Sequence, residues 1–250
     1  MKPTQVCRSH TLILQFLNRL REAKVNPNSF PSSSTLFNGQ DNSLDTSIVE
    51  SPLRKLLPTP TPKNFIQSML REPKYYGELI DMKLIDHFCV FCNRDVISEG
   101  LIDETEHFVA LYNIRPVFPG HSLIIPKEHV TRFSSLPPLH AQEFLEFTQR
   151  VILALKSIHR TDSIELLIQE GPHSGQSISH MHLHLLPRTR NDISHGDQAV
   201  QLEGQEEEED WMEFFARNEH TARLLNKDER KKLAQQVRER IKAVSSSTLN

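Results

Sequence analysis

Cysteine is scarce. Three in 250 residues, Cys7, Cys89 and Cys92, are too few for a disulfide framework and point to a reducing compartment. An excess of one charge is missing too. Lys and Arg number 29 against 32 Asp and Glu, for a net charge of -3, so no basic surplus argues for general adhesion to nucleic acid. Long apolar runs are absent: no stretch of about eighteen apolar residues could cross a bilayer, and a soluble chain with no membrane partner is expected. The amino terminus, "MKPTQVCRSHTLILQFLNRLREAK", is no secretory signal, because Gln15, Asn18 and Arg19 interrupt its apolar stretch and no small-residue cleavage pattern follows. Its basic residues outnumber its one acid, Glu22, which leaves open a mitochondrial presequence or an ordinary amphipathic or disordered leader. The expected compartment is the cytoplasm, with the nucleus and mitochondrion as alternatives.

What is present divides into three parts. Residues 25 to 63 are crowded with Ser, Pro, Asn and Thr and show no sustained period, so they bury too little to offset their ordering entropy. A short amphipathic helix is expected over Asn64 to Arg71, and residues 1–72 as a whole read as a leader and Ser/Pro-rich linker, largely disordered. The compact domain is expected over 73–195. There "HFVALYN" (107–113) and "HSLIIPK" (121–127) read as an antiparallel strand pair across Pro116, Pro119 and Gly120. "PPLHAQEFLEFTQRVILALKSIH" then places Leu139, Phe144, Phe147, Val151, Leu155 and Ile158 near helical spacing. "SIELLIQE" (163–170) and "ISHMHLHLLP" (178–187) read as two more strands joined by "GPHSG". Two strands, a helix and two strands imply an α+β fold, an antiparallel sheet with one main packing helix. Residues 196–250 read as an appendage, with the like-charged block "EGQEEEED" (203–210) as a solvated loop and "DERKKLAQQVRERIKAV" (228–244) as a charged C-terminal helix.

The stretch "SHMHLHLLP" (179–187) carries the chemistry. A strand alternates its faces, so His180, His182 and His184 are expected on one side, at partly exposed positions, with Met181, Leu183 and Leu185 on the core side. Two chemistries use such a row. The imidazoles can bind a catalytic metal, or one can attack phosphorus while its neighbours hold the phosphate oxygens. The preceding "GPHSGQS" (171–177) favours the second, since Gly171, Gly175 and the N–H groups around Gln176 and Ser177 are a means of cradling phosphate.

These residues carry a resemblance. "GPHSGQSISHMHLHLLPR", with "LYNIRPVFPGHSLIIP" upstream, resembles the histidine triad superfamily of nucleotide hydrolases and transferases. "IQEGPHSGQ" and "LPRTRNDI" resemble its fragile histidine triad branch, the dinucleoside polyphosphate hydrolases. The similarity runs from about Phe88 to Ile193. It implies that His182 is the nucleophile, and His182 must then be neutral with its other nitrogen held by an acceptor, for which a backbone carbonyl is expected. By the same resemblance His184 contacts phosphate, Gln176 and Ser177 donate to the α-phosphate, and Gly175 and Ile178 complete that substrate-binding set. Gln169 would meet the far phosphates or second nucleoside and Asn113 the nucleotide, although Asn113 could simply form a turn and Gln169 face solvent. His121 aligns with a further histidine beside the site, in a catalytic or a structural role. Leu111 and Leu123 line an adenine pocket or pack the core.

One departure from that branch is "FCVFC" (88–92). Other triad proteins carry Cys-x-x-Cys and close a tetrahedral zinc site with a histidine of a "PKxH"-like segment and the first triad histidine. "PKEH" ends here at His129, so the resemblance implies structural zinc at Cys89, Cys92, His129 and His180, against the plain reading of two buried cysteines and two unrelated histidines. No organic cofactor is implied. The expected activity is hydrolysis of diadenosine tri- or tetraphosphate, with two rivals: a nucleoside phosphoramidase of the zinc-bearing branch, and a nucleotide-responsive binding protein without catalysis. A DNA-end repair role is disfavoured because no basic extension follows the triad. The expected partners are a dinucleoside polyphosphate or nucleotide and, by resemblance alone, a second copy of the chain in a homodimer.

Overall fold

The computed structural model describes residues 3–23, 56–58, 65–189 and 222–247. They group into two compact units, the first drawn from Met1–Ile97, Glu128–Arg132 and Glu170–Met181, the second from Ser98–Lys127, Phe133–Gln169 and His182–Asn250. No described helix is long and apolar enough to cross a membrane.

The first unit is helical. Helix α1 (Pro3–Glu22) is followed by α2 (Phe65–Arg71), α3 (Pro73–Asp81) and α4 (Ile85–Phe88). Ile13, Phe16, Leu17 and Leu20 recur at helical spacing on α1 and are buried in one core with Phe65, Met69, Leu70, Leu79 and Phe88. The ring of Phe16 meets those of Phe65 and Phe88 edge to face, at 5.6 and 6.0 Å. This differs from the expected leader and from a compact region starting at residue 73. Gln15, Asn18 and Arg19 do interrupt the apolar run, but they form the exposed face of a packed helix. The linker proper, 25–55 and 59–64, and the side chain of Cys7 lie outside the described residues. Pro73 ends α2 sharply, because the residue before a proline is driven from the helical region, and Glu72 is accordingly extended (φ -100, ψ 120).

The second unit is built on the sheet. Helix α5 (Arg94–Gly100) runs into β1 (Leu101–Glu104), followed by β2 (Phe108–Tyr112), β3 (Ser122–Pro126), β4 (Ser163–Ile168) and β5 (Leu183–Arg188). Every pairing is antiparallel and the order is β1-β2-β3-β5-β4. The sequence reading missed β1, which is short and bulged. It also began the last strand too early. The prolines expected to open α6 (Ala141–His159) instead begin a short 3-10 turn, Pro138–His140, that precedes it, so Leu139 is exposed rather than in the core.

Strand alternation divides the sheet's side chains. Ala110, Ile124 and Leu185 pack with Phe147, Val151, Ala154 and Leu155 of α6 and with Ala234, Val237 and Ile241 of α7 (Lys227–Ser247). The opposite face carries one cross-strand row, Leu111, Leu123, His184 and Leu167. The charged helix expected as an appendage is thus part of this unit. Asn226 and Glu229 cap its start reciprocally, each backbone N–H donating to the other's side chain (2.9 and 3.0 Å). Arg238 donates to the carbonyl of Ile102 on the edge strand β1 (2.9 Å), and the buried Arg230 pairs with Glu99. The acidic block at 203–210 lies outside the described residues.

Gly120 sits at the β2–β3 turn with φ +87, where a β-carbon would fall 2.3 Å from His159 Nε2 and 2.9 Å from Pro187 Cγ. Its N–H donates to Tyr112 Oη and its carbonyl accepts from Ser122 Oγ. Gly120→Ala therefore combines left-handed strain with a clash. It is expected to lower stability by about 2–4 kcal/mol, read as an earlier urea midpoint, and an unshifted midpoint would contradict this account of the turn.

Candidate active site and metal centre

The three triad histidines do not form one row on a strand. β5 begins at Leu183, so only His184 lies within it. Upstream, the His180 N–H bonds the carbonyl of Ile178 (2.8 Å) and the Met181 N–H that of Val130 (2.6 Å), which breaks the extended alternation. His180 belongs to the helical unit and His182 and His184 to the sheet unit. All three are buried instead of partly exposed, as is His121.

In the sheet unit the tautomers follow from the hydrogen bonds. The backbone N–H of Val117 donates to His121 Nδ1 at 3.2 Å, so a neutral ring carries its proton on Nε2. That Nε2–H donates to His184 Nδ1 at 2.9 Å, which leaves the His184 proton on Nε2 and makes that nitrogen a hydrogen-bond donor. Burial, and then the neighbouring His182, holds His121 down at about 3. Burial likewise keeps His184 well below the usual imidazole range, with His182 and His121 adding to the effect. The rings of His182 and His184 lie 4.8 Å apart.

Asn113 ends β2 beside this pair. Its Oδ1 accepts the Arg115 N–H in a local turn (3.0 Å), as the turn reading expects, and its Nδ2 lies beside the His121 ring. Gln169 is buried, contrary to a solvent-facing strand residue, and its Oε1 has no hydrogen-bond partner among the described residues. A buried carbonyl left so is a candidate ligand contact. Leu111 and Leu123 fall in the same cross-strand row as His184.

The loop Gly171–Ile178 belongs to the helical unit. Gly171 and Gly175 both adopt positive φ (+87 and +86) around a 3-10 turn at Pro172–Ser174. The side chain of Gln176 braces this loop: its Oε1 accepts the Gly171 N–H (2.9 Å) and its Nε2 donates to the Thr131 carbonyl (2.8 Å). Its own N–H turns back to the carbonyl of Gly171.

The helical unit also brings Cys89, Cys92, His129 and His180 together, with their four potential ligand atoms within 4.8 Å of one another. Cys92 Sγ lies 3.3 Å from His129 Nδ1 and 3.6 Å from His180 Nδ1, and Cys89 Sγ is 3.4 Å from His180 Nδ1. A tetrahedral zinc ion sets sulfur and nitrogen ligands roughly 3.6 Å apart. The donor set and its spacing therefore fit such an ion, and four protein ligands leave no open position for chemistry. The His129 Nε2–H donates to the carbonyl of Leu70 (3.1 Å), which leaves Nδ1 unprotonated toward the cysteines. Burial would raise the Cys89 thiol, but the bond to Cys92 and the His180 and His129 rings hold it well below its ordinary value. The Cys92 thiol is pushed up, first by its bond to Cys89 and then by burial.

The HIT domain profile matches residues 94–191. The chain is 34% identical over 124 residues to a protein of Arabidopsis thaliana named bifunctional bis(5'-adenosyl)-triphosphatase/adenylylsulfatase FHIT, covering 47% of this chain and 69% of that one. It belongs to the histidine triad family. It is also 32% identical over 100 residues to the bis(5'-adenosyl)-triphosphatase of Saccharomyces cerevisiae, covering 40% of this chain and spanning about half (48%) of the yeast protein. The crystal structure of a zinc-bound histidine triad family protein from Mycobacterium smegmatis is similar at 24% identity, with a TM-score of 0.46, covering 64% of this chain and 96% of that one. The matched HIT domain leaves out both cysteines of the cluster, α1 to α4 and α7. Sequence reasoning missed Gln67, Leu70, Tyr76, Val117 and Thr131, which act through backbone groups or across long sequence separations and leave no local pattern.

Two imidazoles held neutral imply an acid-sensitive sheet unit. The unfolded chain takes up these protons near pH 6.5, while native His121 resists until about pH 3. Stability attributable to the pair is complete above about 6.5 and falls as the pH drops below it, by up to ~1.4 kcal/mol per pH unit per histidine. Urea unfolding between pH 7 and 5.5 should show this slope, and the double variant His121→Asn, His184→Asn should flatten it. An equal slope in that variant would count against the neutral pair.

Proposed function

We propose that this chain is a nucleotide hydrolase that splits dinucleoside polyphosphates of the diadenosine tri- or tetraphosphate type at the α-phosphate, through a nucleotidyl intermediate on His182. The observation that carries the reading is the buried His182 ring beside His184, whose Nε2 is made a donor by His121. The names of the relatives, bis(5'-adenosyl)-triphosphatases at 32 to 34% identity, support hydrolysis of an acid anhydride.

The neutral His182 nitrogen attacks the α-phosphorus. A P–N bond forms as the bridging P–O bond breaks, and the departing nucleotide keeps the electron pair on its oxygen. The His184 Nε2–H donates a hydrogen bond to the charge that develops there. Water then attacks the same phosphorus, the P–N bond breaks, its pair returns to the imidazole, and the proton of water passes to solvent. One displacement becomes two easier ones, and the products are a nucleoside monophosphate and the remaining nucleotide. In this reading Gly175, Gln176, Ser177 and Ile178 hold the α-phosphate, with the Gln176 side chain keeping the loop in shape. Asn113 meets the nucleotide, and the buried Oε1 of Gln169 meets the far half of the substrate. Cys89, Cys92, His129 and His180 hold a structural zinc ion, in keeping with a reducing compartment such as the cytoplasm or nucleus. The chain pairs as a homodimer, for which the exposed Leu166 on the sheet-edge strand β4 is a suitable contact.

The same cysteine–histidine cluster favours a second reading, a nucleoside phosphoramidase. Competition between an adenosine phosphoramidate and diadenosine triphosphate for the purified chain separates the two. For either substrate, a quenched reaction should yield a nucleotidyl adduct on the His182 peptide by mass spectrometry, and His182→Ala should lower turnover by at least about 10³-fold. Undiminished turnover in that variant would end the mechanism.

The chain should also carry about one zinc per molecule by elemental analysis. Cys92→Ser should lose most of it and melt roughly 10 °C earlier. A variant with full zinc content would exclude Cys92 as a ligand.

A further inference from the structure

The segment preceding the matched HIT domain contains a residue whose bonds have no use in packing alone. Gln67, on α2, is buried (6% exposed), and both its side chain and its backbone reach Ser179, 112 positions away. Its Oε1 accepts the Ser179 N–H at 2.9 Å, and its backbone carbonyl accepts the Ser179 hydroxyl at 3.0 Å. Ser179 is fully buried and directly precedes His180, one of the four grouped metal-ligand candidates.

The same short helix meets a second of those residues. The last four carbonyls of a helix lack helical donors, and α2 is stopped at Arg71 by Glu72 and Pro73. The Leu70 carbonyl is one of these, and it accepts the His129 Nε2–H. One turn further on, the ring of Tyr76 on α3 lies edge-on to His129 at 4.7 Å. A single stretch, 67–76, thus contacts His129 and the residue before His180. Hydrogen bonds of this kind orient metal ligands, and their loss typically weakens metal binding 10- to 100-fold.

We infer that the α2–α3 segment is the outer support of the Cys89–Cys92–His129–His180 centre, with Gln67 the positioning residue that pins the chain at Ser179 so that His180 is presented to the metal. This rests on the reading of the cluster as a zinc centre, but the pinning itself is observable without metal. The Ser179 N–H has Gln67 Oε1 as its acceptor, so its exchange with solvent reports the bond directly.

The test uses the full chain as Gln67→Leu, which removes the acceptor, and Gln67→Glu, which keeps one. Zinc-loaded protein is mixed with an excess of a chromogenic chelator, and release is followed by absorbance. Hydrogen exchange of the peptide containing Ser179 is measured in parallel. Gln67→Leu should release zinc at least about 10-fold faster and exchange that amide faster, and Gln67→Glu should restore both toward wild type. Release and exchange at wild-type values in Gln67→Leu overturn the inference, as does equal loosening in both variants, which would mean that packing rather than the hydrogen bond matters. Should Gln67→Leu fail to fold, Ser179→Ala removes only the hydroxyl bond: faster release and exchange support the inference, and unchanged values overturn it. If wild type takes up no zinc, the zinc reading fails by itself, and the exchange comparison still decides whether Gln67 holds Ser179.

Discussion

Burial of charge-prone imidazoles is the constraint on which the rest depends. His121, His180, His182 and His184 are nearly inaccessible to water, and an isolated buried cation is far costlier than a neutral ring. A buried neutral imidazole still has one donor and one acceptor nitrogen to place. In the sheet unit the Val117 N–H, His121 and His184 arrange these in series, which determines which nitrogen of His184 bears the proton. In the helical unit the demand is met differently, by two cysteines facing His129 and His180. For His121 and His184, neutrality is enforced by burial in the packing that surrounds the rings.

The triad divides its labour accordingly. His180 belongs with the cysteines, and His182 and His184 with the sheet, although a single residue separates each from the next. The break in extended structure before Leu183 makes that division, since an unbroken strand would have kept all three rings on one face. What looks in the chain like one repeated motif is divided, one ring grouped with the two cysteines and His129 and two set on the sheet. The helices outside the matched domain have a share in this, because the Leu70 carbonyl chooses the His129 tautomer.

Local patterns were readable where the chain's own geometry sets them. The strands 108–112, 122–126 and 163–168 and the helix 141–159 follow apolar spacing, and the short helix 65–71 was expected within a residue. The errors share a cause. Polar residues between Ile13 and Leu20 read as interruptions, although at 3.6 residues per turn they are the outer face of a helix. The helix 227–247 read as an appendage because its charged residues conceal a narrow stripe of Ala234, Val237 and Ile241, which has a partner only once the sheet exists. The bracing of the loop by the Gln176 side chain at Thr131, 45 residues upstream, had no local signal.

The sequence by itself determined the reaction type to expect, because residue identity and spacing in "GPHSGQSISHMHLHLLP" carry the chemistry of imidazole and of glycine-bounded turns. Resemblance to zinc-bearing triad proteins supplied the candidate metal ligands, Cys89, Cys92, His129 and His180. Only the tertiary structure decided which histidines group with the cysteines and which with the sheet, which tautomer His121, His129 and His184 hold and what supports them. Those properties depend on hydrogen bonds between groups far apart in the chain, Gln67 with Ser179, Leu70 with His129 and His121 with His184. No local pattern encodes them, since a backbone carbonyl is the same in every residue and acquires a role only through what folding brings beside it.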